Sequence, residues 1–263
     1  MKLFAIFGDP VAHSRSPLMH NHVFKSLGFK GCYTRIQLKD GSKLRETFFD
    51  LGLSGANITV PHKEAAFNAC DEIRGFAKKI GVVNTIIYED GKLIGYNTDA
   101  DGFMYAIEPF GKIKSVLVLG AGGTSKALST RFKDEGMDVT VMNRSGGRLE
   151  EFKESGFKTE TWDSIKIEAY DLIVNTTSAG LEDDDLPAPR GALELLLKQA
   201  SFSADAIYGK ETPFLKLSKE LNVTTKDGAD MLLGQGVLAN NHFTHAQYDL
   251  KDIERYMKES FLF

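Results

Sequence analysis

The chain has 263 residues, 42% hydrophobic and 26% charged, and its 32 basic and 36 acidic side chains give a formal net charge of −4 at pH 7. This composition excludes a disordered or fibrous protein, and the length predicts two domains or one large α/β unit. A small negative charge without a dense Lys/Arg run argues against a nucleic-acid partner or a polybasic membrane adaptor.

Short apolar runs alternate with helical segments along the first hundred residues, which predicts α/β layers with parallel strands. The predicted strands are residues 3–7, 33–38, 55–60 and 85–89, and the predicted helices are residues 17–27, 42–51, 63–70 and 72–79. Several of these helices open with a capping residue or a proline.

A second unit begins at the apolar run 114–123, which ends in glycines. The amphipathic segment 124–136 predicts a helix and residues 138–144 predict a strand, so the three segments form one βαβ unit. Further strand and helix signals extend the sheet at residues 171–177, 192–200, 203–209 and 212–220. The last thirty residues return to helix and are expected to pack on the first unit.

The N-terminal apolar run is shorter than the core of a signal peptide, and no apolar stretch approaches the ~20 residues that cross a bilayer. Cys32 and Cys70 are too few for a disulfide framework or a Cys-based zinc site. We therefore expect a cytoplasmic protein with no membrane partner.

The glycine-rich segment LVLGAGGTSKAL places Gly120, Gly122 and Gly123 between a strand and a helix. Absent side chains there let backbone N–H groups approach a pyrophosphate at the helix N-terminus. Ser125 stands where the third glycine of the fingerprint would be. The alternative is a tight turn that uses glycine only for its dihedral freedom.

The end of the second strand of this unit distinguishes NAD from NADP, because an NAD site usually carries an acidic residue there. This chain has MNRSGGR instead. Arg144 and Arg148 can bind a 2′-phosphate, and Asn143 and Ser145 can donate hydrogen bonds to it. The sequence therefore predicts NADP(H), unless both arginines are only solvated loop charges.

Three clusters in the first hundred residues carry groups that could serve a nicotinamide enzyme. HSRSP at 13–17 contains Ser14 and Ser16, although Ser16 alone is typical of a helix N-cap before Pro17. NITVPHK at 57–63 ends in Lys63, a type of residue that is usually solvated. GYNTDADG at 95–102 contains Asp99, which is ordinarily a turn former.

Together these motifs resemble the shikimate dehydrogenase family over most of the chain. The matching segments are SRSP at 14–17, NITVPHK at 57–63, GVVNT at 81–85, NTDADG at 97–102, GAGGTSKA at 120–127, NRSGGR at 143–148, NTTSAG at 175–180, TPFL at 212–215 and DGADMLLGQG at 227–236. The resemblance implies reversible NADPH-linked reduction of 3-dehydroshikimate to shikimate, on the pathway to chorismate and the aromatic amino acids.

The element order and the resemblance predict the same two-domain α/β architecture. An N-terminal α/β substrate domain with a mostly parallel sheet would comprise residues 1–101 and 235–263. A Rossmann-type NADP-binding domain would comprise residues 102–234, and the C-terminal helices would return to the first domain. The protein is expected to act as a monomer or homodimer on a small-molecule substrate.

The resemblance also implies roles for individual residues. Lys63 and Asp99 would be the catalytic pair, with Lys63 as acid/base and Asp99 either orienting it or sharing its proton. The implied substrate-binding residues are Ser14, Ser16 and Tyr208 for the carboxylate and Thr59, Asn84, Asp99 and Gln235 for the ring hydroxyls. The implied cofactor-binding residues are Gly120, Ala121, Gly122, Gly123, Thr124, Asn143, Arg144, Ser145, Arg148, Thr176 and Gly228.

A few positions depart from the family pattern. Ala206 and Lys210 stand where the family more often has Met and Pro, so the loop near the nicotinamide is expected to differ in shape. His62 is left outside the catalytic set and is expected to pack against strand ends. His242 and His245, three residues apart, could share a helical face, but no third metal ligand with sensible spacing is apparent, so no metal is expected.

Three other functions remain open. A sister enzyme would accept quinate as well as shikimate and use NAD, which the missing acidic residue after the second strand disfavours. A non-catalytic NADPH sensor would need neither Lys63 nor Asp99. A related dehydrogenase with a folate or acyl substrate is disfavoured by the paired serines Ser14 and Ser16.

Overall fold

The structure, a computed structural model, describes residues 1–263 and contains two compact units. Unit 1 comprises Met1–Gly102 and Leu233–Phe263, and unit 2 comprises Phe103–Leu232. Each unit has its own six-stranded sheet with helices packed against it. The predicted α/β class with mostly parallel sheets is confirmed.

Unit 1 is built on a sheet of strand order β2-β1-β3-β5-β6-β4. Its strands are β1 (Lys2–Gly8), β2 (Gly31–Gln37), β3 (Gly55–Ile58), β4 (Glu72–Ile73), β5 (Thr85–Glu89) and β6 (Lys92–Tyr96). Its helices are α1 (Ser16–Ser26), α2 (Leu44–Asp50), α3 (Lys63–Ala69), α4 (Phe76–Ile80) and the start of α5 (Asp99–Ile107). β5 pairs antiparallel with β3 and β6, and the other pairings are parallel.

Strand β1 is buried on both faces of the sheet, to which its successive side chains point alternately. Phe4 and Ile6 belong to one apolar cluster, whereas Ala5 and Phe7 belong to the other. The Phe4 ring lies 4.8 Å from that of Phe243, which the chain supplies from its C-terminal part. The C-terminal helices thus return to the first sheet, as predicted.

Unit 2 has the strand order β12-β11-β10-β7-β8-β9, with every pair parallel. Its strands are β7 (Ser115–Leu119), β8 (Asp138–Asn143), β9 (Lys158–Thr161), β10 (Leu172–Asn175), β11 (Phe202–Asp205) and β12 (Thr224–Lys226). Its helices are α6 (Gly123–Asp134), α7 (Glu150–Glu154), α8 (Arg190–Leu197) and α9 (Pro213–Glu220). β7 is apolar and fully buried from Val116 to Leu119, as expected of a parallel strand covered on both faces.

Two further helices complete the chain, α10 (Ala229–Phe243) and α11 (Leu250–Glu259). Neither these nor any other helix combines the length and the apolar character that a membrane crossing requires. α10 ends at Phe243, and His245 has a positive φ of 51°. The expectation that His242 and His245 share a helical face is therefore wrong.

The sequence-based prediction differs from the structure in several elements. The helix predicted over 72–79 is wrong at its start, because Glu72–Ile73 form β4. Gly75, with a φ of 59°, separates this strand from α4. Strand β6 was not predicted, although the turn Asp90–Gly91 before it has the positive φ angles of a tight hairpin. The missed strands β9 and β12 are short, polar edges of their sheet.

His20 is a buried polar residue in the core of unit 1. Its ring stacks on Tyr33 at 4.5 Å between centroids, and Asn240 Nδ2 lies 3.0 Å from Nδ1. Burial lowers the pKa of His20 from 6.5 to about 3, against a smaller opposing effect of Asn57. The imidazole is therefore neutral in the folded protein near neutral pH.

This neutral histidine predicts sensitivity to acid. Since the folded-state pKa lies below the unfolded one, the unfolded chain takes up the proton first, and stability is lost as pH falls below about 6.5. Between about pH 7 and about pH 5 the wild type should lose about 2 kcal/mol more than His20→Gln in urea unfolding. Equal pH dependence in both proteins would contradict this.

Candidate active site

Lys63 and Asp99 form an ion pair in unit 1. Lys63 is the first residue of α3 and Asp99 is the first residue of α5. Lys63 Nζ donates to Asp99 Oδ2 at 2.6 Å, and the two side chains are only 12% and 9% exposed. An ammonium group is thus fixed at the start of a helix, with little water to compete for it.

Asn84 holds the other side of the Asp99 carboxylate. Its Nδ2 donates to Asp99 Oδ1 at 2.8 Å, and its Oδ1 accepts from the backbone N–H of Thr98 at 2.8 Å. Asn97 Oδ1 accepts from the Asp99 N–H at 3.1 Å. Both carboxylate oxygens accept hydrogen bonds, which suits the ionised form of Asp99.

The β5–β6 hairpin brings these residues together. Thr85 at the start of β5 pairs with Tyr96 at the end of β6. Residues 84 and 97–99 therefore meet at the open end of the hairpin. The hairpin explains how Asn84 reaches Asp99 across 15 positions of sequence.

Ser14 and Ser16 lie together at the N-terminus of α1. Ser14 Oγ donates to Ser16 Oγ at 3.2 Å and accepts from the Ser16 N–H at 3.3 Å, and both residues are buried. Arg15, not Ser16, occupies the N-cap position, and no side chain caps the helix. The interpretation of Ser16 as a plain N-cap is therefore wrong.

The guanidinium of Arg35 lies beside this serine pair. Its Nε donates to the Ser14 carbonyl at 2.8 Å and its Nη2 to the same oxygen at 2.5 Å. Two hydroxyl groups, a helix N-terminus and a nearby cation together favour a bound carboxylate.

A buried hydrogen-bond chain connects the serine pair with the ion pair. Tyr33 Oη donates to Asn57 Oδ1 at 2.6 Å, and Asn57 Nδ2 donates to Thr85 Oγ1 at 3.0 Å. Thr85 Oγ1 donates to Asn84 Oδ1 at 3.0 Å, and Tyr33 also hydrogen-bonds Ser16. Burial raises the pKa of Tyr33 well above its usual value, so the hydroxyl keeps its proton.

Sequence reasoning did not assign the middle of this chain, Tyr33, Asn57 and Thr85. The available signal was Asn57, a polar residue inside the otherwise apolar strand β3. Because its buried polar atoms need partners, such a residue indicates a nearby polar network.

The other predicted substrate residues lie on different elements of the chain. Thr59 follows β3 and donates its N–H to the Phe7 carbonyl at 2.8 Å. Gln235 lies half-buried on α10, and Tyr208 lies half-buried after β11 in unit 2. His62 is buried and its Nε2 contacts the Leu38 carbonyl, at the end of β2.

The glycine loop of unit 2 is shaped by Gly120. Its φ is 109°, and a Cβ there would lie 2.8 Å from Thr176 Oγ1. Its N–H donates to the Met142 carbonyl at 2.7 Å, and its carbonyl accepts from the buried Ser125 Oγ at 2.7 Å. Ser125 replaces the third glycine of the fingerprint and ties the loop to α6.

Gly122 provides the test of whether a phosphate fits here. Its φ of −98° does not require glycine, and a Cβ would meet no protein atom within 4 Å. Dihedral freedom therefore does not explain this glycine, whereas space for a ligand at the N-terminus of α6 does. The first turn of α6 carries no acidic residue, so the positive end of the helix dipole suits an anion there.

The loop after β8 lies next to the glycine loop because of the Gly120–Met142 hydrogen bond. Asn143 ends β8 and donates from Nδ2 to the Ser145 carbonyl at 2.9 Å. Arg144 and Arg148 are both exposed. No carboxylate ends β8, so the residues present fit a 2′-phosphate better than a free 2′-hydroxyl.

Two further predicted cofactor residues border the same edge of the sheet. Thr176 donates from its N–H and its Oγ1 to the Leu119 carbonyl, at 2.9 and 2.7 Å. A Cβ on Gly228 would lie 2.4 Å from the Ala206 carbonyl oxygen, and the Gly228 N–H donates to the Ile207 carbonyl at 2.9 Å. Gly228 is thus also required by close backbone packing.

No group of three or more His, Cys, Asp or Glu side chains is placed to hold a metal ion. The histidines have other contacts. His242 stacks on Tyr96 at 4.0 Å, and His22 lies 3.2 Å from Glu259.

Comparison with known proteins identifies the family. Residues 6–86 match the family model described as the shikimate dehydrogenase substrate binding domain. A shikimate dehydrogenase (NADP(+)) from Helicobacter hepaticus is 43% identical over 98% of this chain and 97% of its own length. The solved shikimate dehydrogenase from Aquifex aeolicus has 35% identity and a TM-score of 0.87, over 97% of each chain. Shikimate 5-dehydrogenase from Thermus thermophilus, solved with NADP(H) and shikimate, has 33% identity and a TM-score of 0.84 over 99% of this chain and 100% of its own. The chain therefore belongs to the shikimate dehydrogenase family.

Proposed function

We propose that this chain catalyses the reversible NADPH-dependent reduction of 3-dehydroshikimate to shikimate. The observation that carries the assignment of roles is the buried Lys63–Asp99 pair, which Asn84 holds from the other side. Residues 1–101 and 235–263 would form the substrate-binding and catalytic domain. Residues 102–234 would form the Rossmann NADP-binding domain.

NADPH, when bound, supplies the hydride that adds to the C3 carbonyl carbon. The Lys63 ammonium stabilises the negative charge that develops on the carbonyl oxygen and then gives that oxygen a proton. Asp99 holds the ammonium in place, because Lys63 Nζ is hydrogen-bonded to it and Asn84 fixes the carboxylate. In the oxidation direction Lys63 takes the proton back from the C3 hydroxyl.

The substrate carboxylate binds Ser14 and Ser16, with Tyr208 assisting. Thr59, Asn84, Asp99 and Gln235 bind the ring hydroxyls, and analogues without these hydroxyls are rejected because buried polar groups would be left unpaired. The proposed cofactor-binding residues are Gly120, Ala121, Gly122, Gly123, Thr124, Asn143, Arg144, Ser145, Arg148, Thr176 and Gly228.

The composition also bears on where the enzyme acts and which partners it has. Two free cysteines and a small net charge support a cytoplasmic enzyme without a nucleic-acid or membrane partner. It would act as a monomer or homodimer, which sedimentation would distinguish.

The test is the initial rate of reduced-nicotinamide formation with each pairing of shikimate or quinate with NADP⁺ or NAD⁺. Turnover with shikimate and NADP⁺ that far exceeds the other three pairings supports the proposal. Comparable rates with quinate or NAD⁺ would instead assign the broader sister enzyme. NADPH binding without any turnover would assign a sensor.

A further inference from the structure

Asp205 is a buried acid that the proposed chemistry does not use. It ends strand β11 at the carboxyl edge of the unit 2 sheet and is 0% exposed. Its backbone neighbour in the sheet is Asn175, the last residue of β10. A carboxylate in such a place is costly unless several donors satisfy it.

The donors to Asp205 are Asn175 at the end of β10 and two residues of the loop after β11. Its Oδ1 accepts from the Ile207 N–H at 3.0 Å, and its Oδ2 accepts from Thr212 Oγ1 at 2.7 Å. Asn175 Nδ2 lies 3.1 Å from both oxygens. Burial raises the pKa of Asp205, and these hydrogen bonds oppose that rise by favouring the charged form.

Asn175, held by Asp205, in turn fixes the loop that follows β10. Its Oδ1 accepts from the Thr177 N–H at 2.9 Å and from Thr177 Oγ1 at 2.8 Å. Thr176 lies between them, and both threonines occupy the space where a Cβ on Gly120 would lie. Residues 175–177 therefore also lie against the glycine loop.

Ile207 fixes the loop that follows β11 in a similar way. Its N–H is held by Asp205, and its carbonyl accepts from the Gly228 N–H at 2.9 Å. Thr212 fixes the far end of this loop, because its Oγ1 also caps α9 by accepting from the Leu215 N–H at 3.3 Å.

We propose that Asp205 is a positioning residue that sets NADP(H) affinity by holding the loops of Thr176 and Gly228 in their binding conformation. The inference rests on the proposed function, since it takes these two residues to be cofactor contacts. Apolar residues of similar size would fill the same space at less cost in desolvation, whereas the two carboxylate oxygens accept hydrogen bonds from the end of β10 and from the loop after β11 at once.

The test compares Thr212→Val with Thr212→Ser. Valine keeps the shape of threonine but removes the hydroxyl donor to Asp205, whereas serine keeps that hydroxyl. NADPH fluorescence titration should show roughly tenfold weaker binding for Thr212→Val. The KM for NADP⁺ should rise in parallel while kcat at saturating NADP⁺ stays close to wild type, and Thr212→Ser should restore both values.

Thr177→Val tests the other arm of the network without touching the α9 cap, so it serves if Thr212→Val fails to fold. It should weaken NADPH binding in the same direction. Wild-type NADPH affinity in a folded Thr212→Val or Thr177→Val protein, even with a lowered Tm, would reduce Asp205 to a purely structural role. Failure of the wild-type enzyme to oxidise shikimate, with tight NADPH binding retained, would overturn the proposed function and leave this inference standing.

Discussion

Replacing Lys63 by alanine should lower kcat for shikimate oxidation by at least about 10²-fold, the usual loss for a missing general acid/base. The physical reason is that alanine removes the ammonium group that exchanges the proton and that Asp99 holds at 2.6 Å. NADPH affinity should stay close to wild type, because the proposed cofactor residues lie in unit 2. Steady-state kinetics and NADPH fluorescence titration measure the two quantities.

Two control variants sharpen this prediction. Lys63→Arg keeps the positive charge beside Asp99 but does not release a proton, so it should remain severely impaired. Lys39→Ala removes an exposed lysine of the same unit and should leave kcat unchanged. Near-normal turnover in Lys63→Ala, in a protein whose thermal unfolding is still cooperative, would remove Lys63 from the mechanism.

The double variant Arg144→Ala/Arg148→Ala should raise the KM for NADP⁺ by roughly 100-fold, since each charge-assisted contact to a phosphate contributes about tenfold in affinity. The KM for NAD⁺ should change little, because NAD⁺ lacks the 2′-phosphate. Kinetics with both cofactors measure the ratio. Arg190→Ala removes an exposed arginine from α8 of the same unit and serves as the matched control.

A KM for NADP⁺ that stays near wild type in the double variant would leave both arginines as solvated loop charges. Equal losses for NADP⁺ and NAD⁺ would instead show damage to the whole loop after β8. Only a selective loss for NADP⁺ supports 2′-phosphate recognition.

Local signals in the sequence predicted much of the fold. The apolar run of β7 and the glycines after it are contiguous in sequence, so their pattern alone predicts a buried parallel strand running into a helix. The Asp90–Gly91 turn is an equally local signal for the hairpin that contains β6. β9 and β12 offered no such signal, since their side chains are largely polar.

The candidate site is harder to predict from the sequence than the fold, because its contacts join distant parts of the chain. Lys63 and Asp99 are 36 residues apart, and nothing in that spacing predicts an ion pair. Family resemblance singled out both residues. It assigned no role to Tyr33, Asn57 or Thr85, whose connection emerges only from contacts across strands β2, β3 and β5. Asp205 was missed for the same reason.

A change in length at the turn of the β5–β6 hairpin need not alter the geometry of the candidate site. Its turn, Asp90–Gly91, lies at the opposite end from Asn84 and Asp99. Lengthening both arms equally moves only the turn, whereas one residue added to a single arm would shift the register and turn side chains to the other face. An insertion within the turn adds to neither arm, so a peptide epitope between Asp90 and Gly91 should mark the enzyme without disturbing its chemistry.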